Sequence, residues 1–289
     1  MGWKNEAEKL LSDKLNSTVN ILSDHSVGGG SINDARVIKT TAGKFFVKIN
    51  SANLYPAMFE REAKGLVLLM ETGAVAVPEV VGFSEDINDA FLILNYIESS
   101  TKTDTFWNDF GEQLAALHRH SNPFFGLDHN NYIGSLPQSN KQHNRWSDFF
   151  REERLQPQVV MAFNSGRIDR SIIKQFEIFY NNLDNLFPEE PPALLHGDLW
   201  GGNFMVGAKG EPVIIDPAVY YGHREMDLGM SQLFGGFDNK FYDAYHHANP
   251  LEPGWQARLE YCNLYPLMVH VNLFGGGYAG SVKSILKRF

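Results

Sequence analysis

The spacing of apolar residues changes about a third of the way along the chain. Phe45, Val47 and Ile49 alternate with more polar neighbours, which is typical of a half-buried β-strand. Beyond residue 105 the spacing becomes three or four residues, as one face of a helix requires, at Phe106, Phe110, Leu114 and Leu117. This change of period predicts an α+β fold with a β-rich N-terminal part and a mostly helical C-terminal part.

Four segments define the predicted N-terminal part. Residues 36–39 and 45–49 are β-prone runs on either side of a short turn, which indicates an antiparallel hairpin. Apolar positions from Phe59 to Met70 have helical spacing and stop before Gly73, and residues 91–94 form a buried strand. The polar stretch that follows places the boundary between a lobe of residues 1–97 and a lobe of residues 98–289.

The second lobe is predicted to be helical around one small hairpin. Ile172 to Leu186 repeats the three-and-four spacing of an amphipathic helix. Residues 204–206 and 213–215 are short β-prone runs joined across two glycines, which predicts a hairpin set into the helical lobe.

Charge and cysteine content exclude several classes of protein. The chain carries 25 Lys and Arg against 34 Asp and Glu, a formal net charge of −9, so we expect neither a nucleic-acid partner nor an anionic membrane partner. Cys262 stands alone, which excludes an intramolecular disulfide and a thiolate zinc cluster. Residues 1–22 have the pattern of a polar amphipathic helix and not of a secretion signal, so we expect a cytoplasmic protein.

The segment that says most about chemistry lies at 196–203, with the sequence His-Gly-Asp-Leu-Trp-Gly-Gly-Asn. Ile-Ile-Asp-Pro follows at 214–217, after the predicted hairpin. The spacing His-x-Asp-x-x-x-x-Asn with a later Asp matches the catalytic loop and metal-binding Asp of the protein-kinase template. The alternative is a purely structural role as a polar turn capped by an Asp. The presence of all four residues at this spacing disfavours that alternative.

Phosphoryl transfer requires these residue types. A carboxylate must accept the proton of the attacking hydroxyl, and we assign that role to Asp198. Oxygen ligands must hold the Mg²⁺ that neutralises phosphate charge, and we assign those roles to Asn203 and Asp216.

A lysine and a glutamate occur where the same template places its phosphate-binding pair. Lys48 lies on a predicted strand, and Glu62 follows 14 residues later on a predicted helix. Glu60 competes for the pairing role, but two residues of helix turn it about 200° away from Glu62. Glu62 adjoins the apolar stripe of that helix, so we predict the pair Lys48–Glu62.

Two further segments complete a predicted ATP site. Gly28, Gly29, Gly30 and Ser31 precede the hairpin, where backbone N–H groups without side-chain interference can approach phosphate oxygens. A triple glycine alone is more often a flexible turn. Its position ahead of Lys48 is the one feature that favours a phosphate-binding role. Asn95, Tyr96 and Ile97 follow the buried strand and are predicted to offer backbone groups to adenine.

Three other polar residues are predicted to be structural. His118 lies on a helix without any zinc-ligand spacing, so we expect a buried and hydrogen-bonded histidine. Cys262 is expected to be a packing residue. Asp227 follows Asp216 by eleven residues and is expected to brace the catalytic loop from the next helix.

Beyond these motifs, the chain resembles the fructosamine kinase and ketosamine-3-kinase family, in the aminoglycoside- and choline-kinase-like branch of the protein-kinase fold. The general motifs lie at 28–31, 46–50, 58–62, 196–203 and 216–227. Segments typical of this family in particular lie at 134–138, 146–158 and 234–237.

The resemblance implies a bilobal kinase that uses ATP and Mg²⁺ and phosphorylates the sugar 3-hydroxyl of a ketosamine, either a small molecule or a glycated protein lysine. The phosphorylated adduct then decomposes and frees the amine. It also implies that Trp200 lies against the sugar, although the residue types alone are compatible with a core tryptophan. Gly201 departs from the serine of many relatives, and Ser31 departs from the cysteine of some.

Two other functions are weighed against this one. A kinase of another hydroxylated amine, such as an aminoglycoside or choline, would share the general motifs. A silent ATP-binding scaffold would lack some of the key polar residues, yet all of them are present. The region 132–158 mixes Asn, Gln, Arg, Trp and Phe, which favours a substrate less charged than an aminoglycoside. The sequence does not determine the oligomeric state.

Overall fold

The computed structural model describes residues 2–28, 32–85 and 89–289. Two compact units divide the chain: unit 1 is Met1–Phe106 with Gly202–Pro217, and unit 2 is Trp107–Gly201 with Ala218–Phe289. The boundary at residue 97 stays a prediction, and the return of Gly202–Pro217 to unit 1 is a feature that sequence patterns did not reveal.

The helices and strands are numbered in chain order. The strands are β1 Ile21–Ser26, β2 Asp34–Thr40, β3 Gly43–Asn50, β4 Val80–Ser84, β5 Ala90–Asn95, β6 Asn131–Ile133, β7 Leu136–Gln138, β8 Ala193–Leu195, β9 Phe204–Val206, β10 Pro212–Ile214 and β11 Tyr220–Gly222. The α-helices are α1 Trp3–Leu15, α2 Met58–Glu71, α3 Phe106–Leu117, α4 Trp146–Phe149, α5 Gln156–Asn164, α6 Arg170–Leu186, α7 Glu225–Leu233, α8 Asn239–Ala248, α9 Trp255–Cys262, α10 Leu264–Phe274 and α11 Tyr278–Leu286, with a π-helical turn at Phe150–Leu155.

Unit 1 is built on a five-stranded antiparallel sheet with the order β1-β2-β3-β5-β4. Successive side chains of β5 enter two different cores: Phe91 and Ile93 belong to the cluster that contains residues of α1, while Leu92 and Leu94 belong to the cluster that contains residues of α2. Alternation of side chains along a strand produces this separation. Both faces of β5 are covered, which agrees with its uninterrupted apolar run from Ala90 to Leu94.

The N-terminal helix is shorter than predicted. It ends at Leu15, where Asn16 adopts a left-handed conformation with φ 49°, and Leu22 lies in β1. The Glu8 side chain accepts a 2.7 Å hydrogen bond from the Ile21 N–H, so the helix itself anchors the start of the strand. Left-handed backbone terminates an α-helix, which is the physical reason for the earlier end.

The predicted hairpin of residues 204–215 forms, but the prediction that it lies in the helical lobe is wrong. Strands β9 and β10 pair with Phe204 opposite Ile214, and both belong to unit 1. The Ile214 N–H donates to the Ala76 carbonyl at 3.0 Å, and the Thr103 N–H donates to the Gly210 carbonyl at 3.4 Å. Backbone hydrogen bonds to residues distant in sequence therefore hold the hairpin against unit 1. The periodicity of side chains carries no information about such backbone contacts.

Unit 2 is mostly helical, as predicted, with two short antiparallel pairs, β6–β7 and β8–β11. Helix α6 begins where the Asp169 side chain accepts the N–H groups of Ser171 and Ile172, a standard N-cap. Its apolar face is buried in the main core cluster at Ile172, Phe176, Phe179 and Leu183. Among the described residues, no helix is long and apolar enough to cross a bilayer.

A buried histidine makes unit 2 sensitive to acid. His223 is 1% exposed and packs against the rings of Trp146 and Phe187. Burial lowers its pKa from 6.5 to about 4, although Glu190 opposes the shift. The unfolded chain therefore takes up a proton between these pH values that the folded chain rejects.

We expect stability to fall as pH is lowered from 6.5 to 4, with His223 accounting for on the order of 3 kcal/mol. Urea unfolding across this range should show a shallower pH dependence in His223→Gln than in the wild type. The exposed His247 provides the control, and His247→Gln should keep the wild-type slope. Equal slopes in all three proteins would contradict the assignment.

Candidate active site

Lys48 and Glu62 form a buried ion pair in unit 1. The Lys48 Nζ lies 2.6 Å from the Glu62 Oε1, and their side chains are 6% and 12% exposed. Strand β3 carries the lysine and helix α2 carries the glutamate. Glu60 instead pairs with Lys64 one helical turn away, at 2.7 Å. The predicted pairing partner is therefore the one that the structure brings to Lys48.

A side chain from another part of the chain fixes the start of α2. Ala57, at the N-cap position, has no side-chain acceptor, and its backbone is left-handed with φ 58°. The Glu85 Oε1 accepts the N–H groups of Phe59 and Glu60 at 3.1 and 3.0 Å. This carboxylate supplies both the missing acceptors and a negative charge at the positive end of the helix. The helix that carries Glu62 is thus tied to the loop after β4.

Asp216 is the second carboxylate on Lys48. Its Oδ1 lies 2.7 Å from the Lys48 Nζ, and its side chain is 46% exposed. Burial, the largest influence, lowers the lysine pKa, but the charges of Asp216 and Glu62 outweigh it and hold the pKa of Lys48 above its usual value. One ammonium thus faces two carboxylates, and burial raises the pKa of Glu62 although the charge of Lys48 opposes the shift.

The backbone at Asp216 lies in the left-handed region. Its φ is +55°, a conformation that is uncommon for residues with a side chain and that Asn16 and Ala57 also adopt. The preceding residue, Ile215, donates its N–H to the Asn203 carbonyl at 3.0 Å. The two ends of the β9–β10 hairpin are therefore joined beside the two predicted metal ligands.

Asn203 and Asp216 suit a magnesium ion chemically. An amide oxygen and a carboxylate are the hard oxygen donors that Mg²⁺ prefers. Asn203 is 6% exposed, while the half-exposed Asp216 carboxylate retains access to solvent. The donor set fits the ion, and the roles of both residues as ligands stay predictions.

In unit 2, the predicted catalytic loop begins directly after β8, and a buried carboxylate holds its first residues. Asp227, on α7, accepts the N–H of His196 at 2.7 Å and the N–H of Gly197 at 2.9 Å. His118 Nε2 lies 3.2 Å from the same carboxylate, and His118 Nδ1 lies 2.8 Å from the Tyr245 hydroxyl. Burial raises the pKa of Asp227, but the His118 contact and the backbone donor at Gly197 hold it below its usual value. The predicted structural roles of His118 and Asp227 are confirmed.

Gly197 admits no side chain. Its φ is +83°, and a Cβ built on it would lie 2.1 Å from the Ala218 carbonyl oxygen. The Ala218 N–H in turn donates to the His196 carbonyl at 2.9 Å. The residue before Asp198 is therefore enclosed by Asp227 on one side and by Ala218 on the other. Because Gly197 is enclosed, the backbone position of Asp198 is restricted as well. The role of Asp198 as a proton acceptor stays a prediction.

Trp200 begins a row of partly exposed aromatic rings in unit 2. Its side chain is 37% exposed and meets Phe234 edge to face, with ring centroids 6.1 Å apart. Phe234 then packs against His270 at 4.8 Å. His270 was not anticipated from the sequence, because a single histidine in an apolar helix has no distinctive spacing. Burial lowers its pKa, and its Nδ1 contacts the Pro266 carbonyl.

The remaining predicted nucleotide residues lie in unit 1. Asn95 ends β5 and donates its N–H to the Glu79 carbonyl at 2.9 Å, so a backbone donor for adenine would have to come from Tyr96 or Ile97. Gly28 is exposed, whereas Gly29, Gly30 and Ser31 lie outside the described residues. The nucleotide roles of these residues stay predictions. Cys262 is fully buried, which confirms a packing role.

Comparison with known proteins gives consistent results over nearly the whole chain. The profile of the fructosamine kinase family matches residues 3–289. A probable ketoamine kinase of Vibrio parahaemolyticus is 41% identical, over 93% of this chain and 92% of its own. A chloroplastic protein-ribulosamine 3-kinase of Arabidopsis thaliana is 39% identical, over 90% of this chain and 80% of its own. A crystal structure of a putative fructosamine-3-kinase from Thermobifida fusca superimposes with a TM-score of 0.87 at 30% identity and covers 98% of each chain.

The anchoring of the catalytic loop can be tested through stability. Asp227→Ala leaves the buried His196 N–H, the partly buried Gly197 N–H and the His118 ring without their acceptor, so we expect it to lower the free energy of unfolding by about 3 kcal/mol or more. The exposed Asp243 offers a matched control, and Asp243→Ala should change stability by less than about 0.5 kcal/mol. Chemical denaturation measures both, and equal effects would show that Asp227 does not anchor the loop.

Proposed function

We propose that this chain, which belongs to the fructosamine kinase family, is an ATP-dependent kinase that phosphorylates the sugar 3-hydroxyl of a ketosamine. The observation that carries the proposal is the Lys48 ammonium held between Glu62 and Asp216, which matches the lysine, glutamate and metal-binding aspartate of the protein-kinase template. The names of the relatives, ketoamine kinase and protein-ribulosamine 3-kinase, support the substrate class. Decomposition of the phosphorylated adduct would then release the amine.

Nucleotide binding is assigned to unit 1. Lys48 would contact the α- and β-phosphates, with Glu62 holding its ammonium in place. Asn203 and Asp216 would hold Mg²⁺, which when bound neutralises negative charge on the phosphates. Gly28 to Ser31 and the stretch from Asn95 to Ile97 would complete the site for ATP.

Proton transfer is assigned to Asp198. As the substrate hydroxyl oxygen forms a bond to the γ-phosphorus, the bond from that phosphorus to the β,γ-bridging oxygen breaks and ADP leaves. Asp198 would accept the hydroxyl proton, provided that the oxygen lies within about 3 Å of the carboxylate. The hydrogen bonds from His196 and Gly197 to Asp227 keep the backbone before Asp198 in one conformation.

Substrate recognition is assigned in part to Trp200. Its partly exposed ring offers an apolar face to the C–H groups of a sugar, two residues after the proposed base. Phe234 supports the ring from the side. Small ketosamines and glycated lysines of proteins both belong to the proposed substrate class, and a cytoplasmic location stays a prediction.

A substrate panel tests the proposed activity. Purified protein with ATP and Mg²⁺ should release ADP with ribulose-lysine or fructose-lysine and not with choline or an aminoglycoside. NMR of the product should place the phosphate on the sugar 3-oxygen. Asp198→Asn should lower turnover by at least about 100-fold, because the proton acceptor is removed. Phosphate on another oxygen, or turnover of an aminoglycoside alone, would contradict the proposal.

The ion pair in unit 1 gives a prediction with a built-in control. Glu62→Gln removes the charge that holds Lys48, so we expect affinity for a non-hydrolysable ATP analogue to fall by roughly tenfold. Glu60→Gln, two residues away on the same helix, removes the charge of a partly exposed ion pair with Lys64 and should leave affinity unchanged. Calorimetric titration measures both variants. Equal losses would mean that Lys48 and Glu62 do not form the phosphate site.

A further inference from the structure

A set of buried polar side chains crosses the interior of unit 2 without contributing to the chemistry described above. Its members are Asn131, Gln138, Asn140, Arg154 and Tyr265, which we term the buried amide network. None of them is more than 6% exposed. They come from β6, β7, the loop after β7, the π-helical turn and α10. Burying so many polar groups is costly unless each has a defined partner.

The network is continuous through its hydrogen bonds. The Tyr265 hydroxyl donates to the Gln138 Oε1 at 2.7 Å, and the Gln138 Nε2 donates to the Asn131 Oδ1 at 2.8 Å. The Asn140 Nδ2 donates to the same Asn131 oxygen at 2.9 Å. These bonds determine the orientation of each side-chain amide, since each nitrogen faces an acceptor.

Arg154 closes one end of the network. Its Nη2 donates to the Asn140 Oδ1 at 2.6 Å, and its Nη1 donates to the Ser139 carbonyl. The guanidinium lies over the rings of Tyr220 and Phe149, with its central carbon 3.9 and 4.5 Å from their centroids. Aromatic faces and carbonyl oxygens thus stabilise a fully buried cation, which makes this end of the network rigid.

The other end of the network holds the backbone that faces the catalytic loop. Gln138 Nε2 also donates to the Ala218 carbonyl at 3.2 Å, and the Asn131 Nδ2 donates to the Val219 carbonyl at 2.8 Å. The Ala218 carbonyl is the group against which Gly197 packs, too close for any Cβ between them. The network therefore holds in place the Ala218 carbonyl, which encloses Gly197 on the side opposite Asp227.

We propose that Gln138 and Tyr265 are positioning residues for Asp198, a role that rests on the proposed function of Asp198 as proton acceptor. Tyr265 orients the Gln138 amide, Gln138 holds the Ala218 carbonyl, and that carbonyl confines Gly197, the residue before the carboxylate. Burial raises the pKa of the Tyr265 hydroxyl, the charge of Arg154 opposes that shift, and the charge of Asp198 adds to it. Without this support, the loop is free to move relative to the reacting hydroxyl.

Tyr265→Phe tests the proposal because it removes a single hydroxyl and preserves the ring. Tyr242→Phe is its matched control: the Tyr242 hydroxyl is also buried in unit 2 and makes one hydrogen bond, to Ser231 at 3.0 Å. We expect kcat with ribulose-lysine to fall roughly tenfold or more in Tyr265→Phe and by less than about twofold in Tyr242→Phe. KM for ATP and for the ketosamine should stay within about twofold of wild type in both.

Amide hydrogen exchange provides a readout that needs no substrate. In Tyr265→Phe, the amides of His196 and Gly197 should exchange faster than in wild type, while Tyr242→Phe leaves them unchanged. Gln138→Met, which preserves side-chain length, should reproduce both effects if Tyr265→Phe fails to fold.

The outcomes distinguish failure of the proposed kinase activity from failure of the positioning role of Gln138 and Tyr265. A wild-type protein inactive on every ketosamine, with faster exchange in Tyr265→Phe, would overturn the proposed function and retain the positioning of the loop. An active wild type with equal kcat and equal exchange in the two tyrosine variants would overturn the positioning role. A rise in KM for the ketosamine with unchanged kcat would also overturn it, because it would indicate direct contact with substrate.

Discussion

The ion pairing of the buried Lys48 ammonium with Glu62 and Asp216 is the interaction on which the site in unit 1 depends. A lysine on a central strand cannot remain charged inside a protein unless carboxylates compensate the lost hydration. Glu62 supplies one carboxylate from α2, and Asp216 supplies the other from the end of a hairpin more than 160 residues along the chain. The same contact that solves a problem of burial therefore brings together the residues proposed for nucleotide and metal binding.

In unit 2, the constraint is the burial of backbone groups in the loop that carries the Asp198 carboxylate. Asp227 satisfies its N–H groups, and the Ala218 backbone closes its other side. His118 and the buried amide network lie behind these two contacts. Much of the polar interior of unit 2 is thus devoted to holding one short stretch of chain.

Much of the architecture could be predicted because it follows from local rules. The alternation of apolar residues predicted β3, helical spacing predicted α2, α3 and α6, and the motif order predicted the Lys48–Glu62 contact. The choice of Glu62 over Glu60 succeeded because helix geometry separates the two side chains by about 200°. Strand β1 was missed, and the N-terminal helix was drawn too long, because the turn at Asn16 depends on a left-handed conformation that few sequence patterns reveal.

The sequence by itself determined the residue types and their order: a lysine, a glutamate, a His-x-Asp loop, an asparagine and a final aspartate. These features are local, since period and motif spacing act over a few residues. The tertiary structure alone decided that Gly202–Pro217 returns to unit 1, that Asp216 shares Lys48 with Glu62, and that Gln138 and Tyr265 support the backbone beside Gly197. Those contacts join polar groups that lie tens to more than a hundred residues apart. Which of them meet depends on the free-energy cost of leaving a buried donor or charge without a partner, and that cost is decided only in the folded chain.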